Sequence, residues 1–535
     1  MSQTHMADHG PSHQGSSGPL TPPTPVLAFL AQAATTHGRS PALSHGGKTV
    51  SYERLVATLS ALSAALSRIV PPLPPGAPIA LLLPGGPALV TYTFAAFRTG
   101  FAPFSMAAGG IPSAAACRGA RLLVTTDFKP NLGQAVSLVQ AGFIGRVIIV
   151  PHASQIAAGS ALRLRLFSAN RLGPVPPALT SAFLRESDLI AASGPAAAVP
   201  APGVPLEALA ANVAQLVAAL PPLARGTERI LAAIPLTAPL AFSAVTGLAA
   251  AHAAELVIPD SLIPGVLARA VNRCRPTVIV AAPALLAEAY ADTAFRHLSL
   301  QSLKLTLALG PRAPQPIITL IAGAAKAPLV QAYGLEEPGV ILALAEPAQP
   351  PNAPAPGPAA MLSYHPLAGT RFAVRDLAGP ARDIPRGERG ALVVSGPQFP
   401  PQALTEGGFM RTGNVGLIDP AGRIVVIDRA ADLIVASGYM IYPSRIEEAL
   451  AEHPGVTTVA VIGVSDGRRG NAPKAFVVLK RGMAVTERDL RSHLSSRISK
   501  IEMPADIDFC ARLPRTPFGT VDKTALRQEE AARKA

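Results

Sequence analysis

Short apolar runs alternate with helical stretches along much of the sequence, and this rhythm constrains the fold more than any other feature. The runs carry no charged residue and are rich in Val, Ile, Leu and Ala. They are Ile79–Leu83, Leu122–Thr125, Val147–Val150, Ile230–Ile234, Leu256–Ile258 and Val278–Ala281. Continuous apolar runs of this length are typical of strands that are buried on both faces. We therefore predict an α/β fold in which mostly parallel sheets are covered by helices.

A change of character near Arg429 predicts a second domain. At 535 residues the chain is too long for one ordinary core. A predicted hairpin at 417–428 is followed by a charged α+β segment, in which Thr486 and Asp489 are expected to cap a helix. The predicted units are a tail at 1–24, a large N-terminal domain at 25–428, a small mobile C-terminal α+β domain at 429–527 and a tail at 528–535.

The net charge of +13 and the sequence pI near 10.1 raise the question of a polyanionic partner. Aromatic residues make up only 4% of the chain and Trp is absent, so few side chains could stack on bases. We therefore predict no nucleic-acid partner. A nucleic-acid or membrane-surface binder is the least favoured of three hypotheses, and salt-sensitive binding to DNA or vesicles would be its signature.

The segment 230–254 contains no Lys, Arg, Asp or Glu and is long enough to span a bilayer. Pro235 and Pro239 would break a spanning helix, so a strand, a turn and a buried helix are predicted there instead. The first 24 residues are rich in Ser, Gly, His and Pro without the apolar core of a signal peptide, which predicts a disordered tail on a cytoplasmic protein.

Six ordered motifs in the second half of the chain carry a family resemblance. They are Gln331–Glu337 (QAYGLEE), Arg411–Gly416 (RTGNVG), Asp428–Ile434 (DRAADLI), Ser437–Pro443 (SGYMIYP), Ile446–Glu448 (IEE) and Leu513–Gly519 (LPRTPFG). In this order and spacing the chain resembles the adenylate-forming, AMP-binding superfamily, which includes acyl-CoA synthetases, luciferases and the adenylation domains of peptide synthetases. One such motif alone would mean little, whereas the ordered set is specific.

The resemblance implies a two-step reaction. A carboxylate attacks the α-phosphate of ATP to give an acyl-adenylate, and a thiol, usually that of coenzyme A, then displaces AMP. The resemblance also implies a Mg²⁺ ion held by Glu337, because a hard cation shared with phosphates suits a carboxylate. It further implies that the small domain rotates between the two steps about a hinge near Ala430 and Ala431.

Four positions match residues that bind the nucleotide or coenzyme A in the family. Tyr333 and Gly334 match the segment that stacks on adenine, and Arg429 matches the Arg that contacts ribose or phosphate near the domain joint. Gly438 matches the glycine that leaves room for the pantetheine arm of coenzyme A, although a turn glycine with positive φ is an equally good interpretation. Glu336 stands where the family usually has Thr, and adds a second negative charge beside Glu337.

The expected phosphate loop is the first departure from the family pattern. A strand is predicted near Asp188 to Ala192, and a Ser/Thr/Gly-rich loop ending in Pro-Lys-Gly should follow it. Residues 193–203 read SGPAAAVPAPG instead. Such a loop works through backbone NH groups, hydroxyls and one Lys, and this segment has three Pro and no Lys. We therefore predict that the loop function is lost.

Three further departures fall on ATP handling or on the acyl pocket. Asn414 replaces the Asp that accepts hydrogen bonds from the ribose hydroxyls, which weakens a charge-assisted contact. Thr520 occupies the position of the Lys that bridges the substrate carboxylate and the α-phosphate. Lys523 lies three positions on but matches a different basic position of the family. Ala238 stands where many relatives carry a His beside the acyl pocket.

Two hypotheses follow from these departures. The preferred one is an acyl-CoA synthetase-like protein whose carboxylate adenylation is impaired or lost, and which has a binding or regulatory role. The alternative is an active ATP-dependent carboxylic acid–CoA ligase whose replacement residues come from elsewhere in the fold. Because Ala, Leu and Pro prevail at 232–340, the expected ligand under either hypothesis is an acid with an apolar acyl or aryl chain.

Overall fold

The structure is a computed structural model. It describes residues 26–69, 76–110, 113–157, 175–192, 204–310, 327–347, 362–377, 382–405, 407–516 and 518–534, with isolated positions between 317 and 323. The predicted tail at 1–24 and the predicted phosphate-loop segment at 193–203 lie outside these residues.

The described strands and helices are numbered here in chain order. The strands are β1 (Pro41–His45), β2 (Lys48–Ser51), β3 (Pro78–Leu82), β4 (Ala102–Ser105), β5 (Leu122–Thr126), β6 (Arg146–Val150), β7 (Phe183–Arg185), β8 (Arg229–Ala233), β9 (Glu255–Ile258), β10 (Val278–Ala281), β11 (Leu305–Leu309), β12 (Leu329–Leu335), β13 (Val340–Ala345), β14 (Ser363–Pro366), β15 (Arg371–Arg375), β16 (Gly390–Ser395), β17 (Met410–Ile418), β18 (Ile424–Arg429), β19 (Ile434–Ala436), β20 (Tyr439–Ile441), β21 (Val456–Asp466), β22 (Gly470–Leu479) and β23 (Asp506–Phe509). The α-helices are Val26–His37, Tyr52–Ile69, Pro87–Arg98, Ala114–Cys117, Lys129–Gln140, Glu186–Ala192, Val204–Ala219, Pro239–Ala241, Leu248–His252, Pro264–Cys274, Pro283–Ala291, Thr293–Arg296, Pro443–Ala451, Glu487–Ser495 and Lys523–Lys534.

Two sheets form the large N-terminal domain and confirm the predicted α/β class. One is wholly parallel, with strand order β4-β3-β5-β6-β7. The other has thirteen strands in the order β15-β16-β17-β18-β14-β13-β12-β11-β10-β8-β9-β1-β2. From β12 to β1 its strands run parallel, whereas from β12 to β15 neighbouring strands are antiparallel. The apolar runs found in the sequence form buried parallel strands of both sheets, as their lack of charge requires.

The uncharged segment 230–254 folds as predicted, with a strand, a turn and a buried helical stretch. Strand β8 is followed by the short helix Pro239–Ala241, a π-helical turn at Phe242–Gly247 and the helix Leu248–His252. Most of these helical residues are buried against the core of the large domain. Within the ranges that the structure describes, no helix combines the length and apolarity needed to cross a membrane.

The small C-terminal domain contains the hairpin β19–β20, the sheet β21-β22-β23 and three helices. The predicted capping box is present, because the Thr486 hydroxyl accepts from the Asp489 NH and the Asp489 carboxylate accepts from the Thr486 NH. The predicted tail at 528–535 is wrong, since residues up to 534 continue the last helix. Glu530 of that helix is 6% exposed and pairs with the buried Lys474 at 3.1 Å, which holds the helix on the sheet.

The predicted strand at Asp188 to Ala192 is also wrong. Strand β7 ends at Arg185, and the helix Glu186–Ala192 begins at the next residue. Glu186 and Asp188 lie in the first turn of this helix, where carboxylates interact favourably with the positive end of the helix dipole.

Candidate active site

A cavity of about 1700 Å³ lies between the large and small domains. It opens at the carboxyl ends of parallel strands from both sheets of the large domain, which is the usual ligand position in open α/β folds. Its lining includes most of the residues that the family motifs predicted as a site. These are Tyr333, Gly334, Glu336, Glu337, Asn414, Arg429 and Thr520. The fold therefore assembles residues separated by nearly two hundred positions into one site.

Tyr333 and Asn414 are joined at the predicted nucleotide position. The Asn414 Nδ2 donates to the Tyr333 hydroxyl at 2.8 Å and to the Thr412 carbonyl oxygen at 3.3 Å. Tyr333 is 8% exposed and its ring lies 5.7 Å from the ring of Tyr364. Burial raises the pKa of Tyr333. The two bonds fix the Asn414 amide, so its oxygen is the acceptor that remains to meet a ligand hydroxyl.

Gly334 is required by strand packing at this point. A Cβ atom there would lie 2.6 Å from the Val340 carbonyl oxygen and 2.8 Å from the Leu240 Cδ1. The pairing of β12 with β13 shifts register between Tyr333 and Gly334. A missing side chain at this position therefore serves the sheet, and it also leaves the strand backbone bare where it faces the cavity.

Glu337, the predicted magnesium ligand, is paired with an arginine. The Arg118 Nη2 lies 2.6 Å from the Glu337 Oε1, and the two side chains are 54% and 65% exposed. Within the described part of the chain, no group of three or more His, Cys, Asp or Glu side chains could hold a metal ion. A metal ion at Glu337 would therefore compete with the Arg118 guanidinium for this carboxylate.

Thr520, which stands at the position of the bridging Lys in the family pattern, lines the cavity. Its hydroxyl lies 2.7 Å from the Thr516 hydroxyl, and its carbonyl oxygen accepts from the Thr516 NH at 2.8 Å. The tight turn between them contains Gly519 at φ +77°, a conformation that favours glycine. The position thus offers the cavity a short, neutral hydroxyl that is already hydrogen-bonded within its own turn.

Lys523 also lines the cavity, but its charge has a partner. The Lys523 Nζ lies 2.8 Å from the Glu447 Oε1, and the same oxygen accepts from the Val461 NH at 2.7 Å. Both side chains are largely buried, at 16% and 21% exposure. Moving the ammonium toward a substrate would leave the Glu447 carboxylate without its cation, so this Lys is poorly placed to replace the missing one.

Asp428, the first residue of the motif Asp428–Ile434, also lines the cavity. Its Oδ2 accepts from the Ser444 hydroxyl at 2.7 Å and from the Ser444 NH at 3.3 Å, at the start of the helix Pro443–Ala451. Burial raises the pKa of Asp428 to about 6. The carboxyl group therefore links the end of β18 to the first helix of the small domain.

Three arginines line the cavity near the junction between the two domains. Arg429 follows Asp428 at the end of β18 and pairs in register with Asn414. Its nucleotide contact stays a prediction. Arg389 lies 5.2 Å from the Tyr442 ring centroid, and Arg445 lies 3.4 Å from the buried Glu502. Sequence reasoning missed Arg389 and Arg445 because neither belongs to a distinctive local motif.

Gly438 does not line the cavity. It lies in the turn between β19 and β20 at φ +81°, and nothing comes within 4 Å of a Cβ built on it. The turn interpretation of this glycine is confirmed, and a coenzyme A contact stays a prediction. Ala238, where relatives carry a His, does line the cavity and precedes the helix Pro239–Ala241.

The remaining lining is largely apolar. Its apolar members include Leu82, Leu83, Met106, Phe128, Leu240 and Leu309. These side chains lie on or shortly after strands of both sheets, or in the helix Pro239–Ala241. A pocket lined by both polar and apolar side chains can take a ligand that has both characters.

Two protein families match this chain. Residues 203–401 match the AMP-binding enzyme family, and residues 445–519 match the AMP-binding enzyme C-terminal domain. Together these regions cover just over half of the sequence. The chain belongs to the adenylate-forming, AMP-binding superfamily and is acyl-CoA synthetase-like.

Its relatives by sequence include a feruloyl-CoA synthase from Amycolatopsis sp, 32% identical over 314 residues that make up 56% of this chain and 61% of that protein. A long-chain-fatty-acid–CoA ligase from Bacillus subtilis (strain 168) is 27% identical over 317 residues, or 57% of this chain and 55% of the ligase. The chain thus matches less than two thirds of the length of these relatives.

Solved structures share the fold over nearly the whole chain. A benzoate CoA ligase from Burkholderia xenovorans LB400 superposes with a TM-score of 0.75 at 19% identity, covering 94% of this chain and 100% of that one. The amide bond synthetase McbA from Marinactinospora thermotolerans gives a TM-score of 0.73 at 23% identity, with the same coverage. At these identities the likeness concerns the fold, including its large domain and smaller C-terminal domain.

Proposed function

We propose that this chain binds an adenine nucleotide and a carboxylic acid with an apolar chain in the cavity between its domains, and that its capacity to adenylate the acid is impaired or lost. A binding or regulatory role would then remain. The observation that carries the proposal is Thr520, which lines the cavity as a neutral residue bonded to Thr516. Adenylation brings a carboxylate and a phosphate together, and two anions need a cation between them.

The other cation near this position supports the same proposal. The Lys523 ammonium is held by Glu447, and the segment 193–203 contains no Lys in its sequence. Removal of one preorganised donor costs roughly two to three powers of ten in rate, and a bridging cation should matter at least as much. The intact adenine segment at Tyr333 and Gly334 and the apolar lining support retained binding of nucleotide and acid.

Pyrophosphate exchange into ATP across a panel of apolar and aryl acids tests the catalytic part. We expect exchange near background for the natural sequence. Thr520→Lys should raise exchange about tenfold or more, because it restores a cation at the reacting groups. Thr524→Lys is the matched control, since it adds the same charge on the cavity lining at the start of the last helix. Robust exchange by the unmodified protein with any acid would reject the proposal.

Equilibrium binding of a non-hydrolysable acyl-adenylate mimic tests the binding part without turnover. We expect saturable binding that is lost on substitution of Tyr333 by Ala, because that change removes the ring beside the predicted adenine position. Failure of the unmodified protein to bind any such mimic would show that the cavity has no nucleotide-binding role.

A second candidate is an active ligase that joins an apolar or aryl acid to coenzyme A. The apolar lining supports it, as do the names of relatives such as the feruloyl-CoA synthase. This candidate needs another cation at the reacting groups, and Arg429 lines the cavity in register with Asn414. It predicts pyrophosphate exchange by the unmodified protein that is abolished by Arg429→Gln, with Arg423→Gln as a control outside the cavity.

A further inference from the structure

The ion pair between Arg118 and Glu337 stands at the position where the superfamily would bind a divalent metal. The two residues are 219 positions apart in sequence, and the fold brings the Arg118 Nη2 to 2.6 Å from the Glu337 Oε1. Glu337 lines the inter-domain cavity beside Glu336. A guanidinium and a metal ion would compete for the same carboxylate oxygens, since both need their lone pairs.

Arg118 is held in place by more than the carboxylate. It follows the short helix Ala114–Cys117 and has φ +48°, a left-handed conformation that costs a non-glycine residue energy. Its guanidinium carbon also lies 5.2 Å from the centroid of the Phe104 ring. The ion pair and the ring contact together hold the guanidinium at Glu337.

The charges decide how strongly Arg118 opposes a metal. Both side chains are more than half exposed, so the pair itself is weak. A divalent cation at Glu337 would also lie beside the positive guanidinium, and the two positive charges would repel each other. A metal could therefore displace Arg118, but its affinity would be reduced.

We propose that Arg118 occupies the place of the divalent metal at Glu337, so that this site takes a nucleotide with one phosphate without Mg²⁺ and discriminates against metal-bound triphosphate. This inference rests on the proposed function, because it assumes that the cavity binds an adenine nucleotide. It makes Arg118 a positioning residue that acts through Glu337. It also fits the neutral Thr520 and the Lys523 ammonium that is paired with Glu447.

The test compares the full-length protein with Arg118→Gln and with Arg121→Gln. Arg121 is the matched control, since it is a nearby exposed arginine whose guanidinium donates to the Gly142 carbonyl oxygen. AMP and ATP binding are measured by titration calorimetry in excess Mg²⁺ and in EDTA. Binding of Mn²⁺ in the presence of ATP is measured by electron paramagnetic resonance, a signal that a purely structural role of Arg118 would not change.

The unmodified protein should bind AMP equally well with and without Mg²⁺. Arg118→Gln should raise the affinity for Mn²⁺ in the presence of ATP by about tenfold, and Arg121→Gln should leave it unchanged. Equal Mn²⁺ affinity in the unmodified protein and Arg118→Gln, with nucleotide binding intact in both, would overturn this inference alone. Absence of nucleotide binding in every protein would overturn the proposed function and this inference with it.

Discussion

Asn414 differs from the Asp of the family pattern by one side-chain atom, because an amide nitrogen replaces a carboxylate oxygen. Its amide donates to the Tyr333 hydroxyl and the Thr412 carbonyl oxygen, so its orientation is fixed before any ligand arrives. One neutral oxygen is left where the family presents a carboxylate. A carboxylate accepts hydrogen bonds about twice as strongly as a neutral group. Under the proposed function, this residue would keep the geometry of the nucleotide site and would hold a ribose less firmly.

Asn414→Asp should increase affinity for AMP by about fivefold to thirtyfold, which corresponds to about 1 to 2 kcal/mol of charge-assisted hydrogen bonding. The Tyr333 hydroxyl can reverse its role and donate to the new carboxylate, so the local structure should survive. Titration calorimetry with AMP measures the change.

Asn471→Asp is the control for this prediction, because Asn471 is an exposed residue of β22 outside the cavity. The same change of charge there should leave AMP affinity as it is. An equal effect of the two substitutions, or no gain from Asn414→Asp, would contradict a ribose-binding role for this position.

The end of β18 and the start of the helix Pro443–Ala451 are joined by one carboxyl group. The Asp428 Oδ2 accepts both the hydroxyl and the NH of Ser444, at the first turn of the helix. Carboxylates are favourable at helix N-termini, but this one is largely buried and lies near Glu447. Burial dominates and raises the pKa of Asp428 to about 6. The connection between the two domains is therefore sensitive to pH.

The stability of the protein should depend on pH through Asp428 in a defined direction. An unfolded Asp has a pKa of about 3.9, so the folded state binds the proton more tightly than the unfolded state does. Its stabilising contribution is fully present below pH ~4 and is lost as the pH rises through about 6, for a total of about 2 to 3 kcal/mol. Asp428→Asn should remove this dependence.

Urea unfolding of the unmodified protein and Asp428→Asn, compared from about pH 4 to about pH 7, isolates this contribution from those of other groups. The free energy of unfolding of the variant should gain on that of the unmodified protein as the pH rises. A constant difference across this range would show that the Asp428 carboxyl titrates as in the unfolded chain.

The small domain extends to residue 534 because its last helix is tied to its sheet. Lys474 of β22 is 8% exposed and lies 3.0 Å from Asp508 and 3.1 Å from Glu530. Arg527 of the same helix lies 2.8 Å from Asp432, just after the domain junction. The helix thus connects the sheet of the small domain to the predicted hinge, and any rotation of the domain must carry it along.

Glu530→Gln should lower the midpoint of thermal unfolding, with a loss of about 1 to 3 kcal/mol, because it removes a charged partner from a buried ammonium. Glu529→Gln is the matched control, since Glu529 is exposed on the same helix. Similar midpoints for the two variants in differential scanning calorimetry would show that the end of this helix contributes little to the stability of the folded protein.

Much of the architecture could be predicted from local pattern alone. Runs such as Val278–Ala281 have no charge and fit only a doubly covered strand, and Thr486 with Asp489 marks a helix start whatever the rest of the chain does. Local pattern failed at Asp188 to Ala192, because the strand lies earlier, at Phe183–Arg185, and a helix follows it. It also failed at the last helix, where burial of Glu530 depends on Lys474 across the domain.

The sequence by itself determined the superfamily, the α/β class and the identity of the side chains present at each motif, because these follow from spacing and residue type. The tertiary structure decided which charges meet. Whether Glu337 faces a metal or a guanidinium depends on Arg118, and whether Lys523 is available depends on Glu447. Electrostatic interactions depend on distance in space, and no local periodicity encodes a contact between residues 219 positions apart.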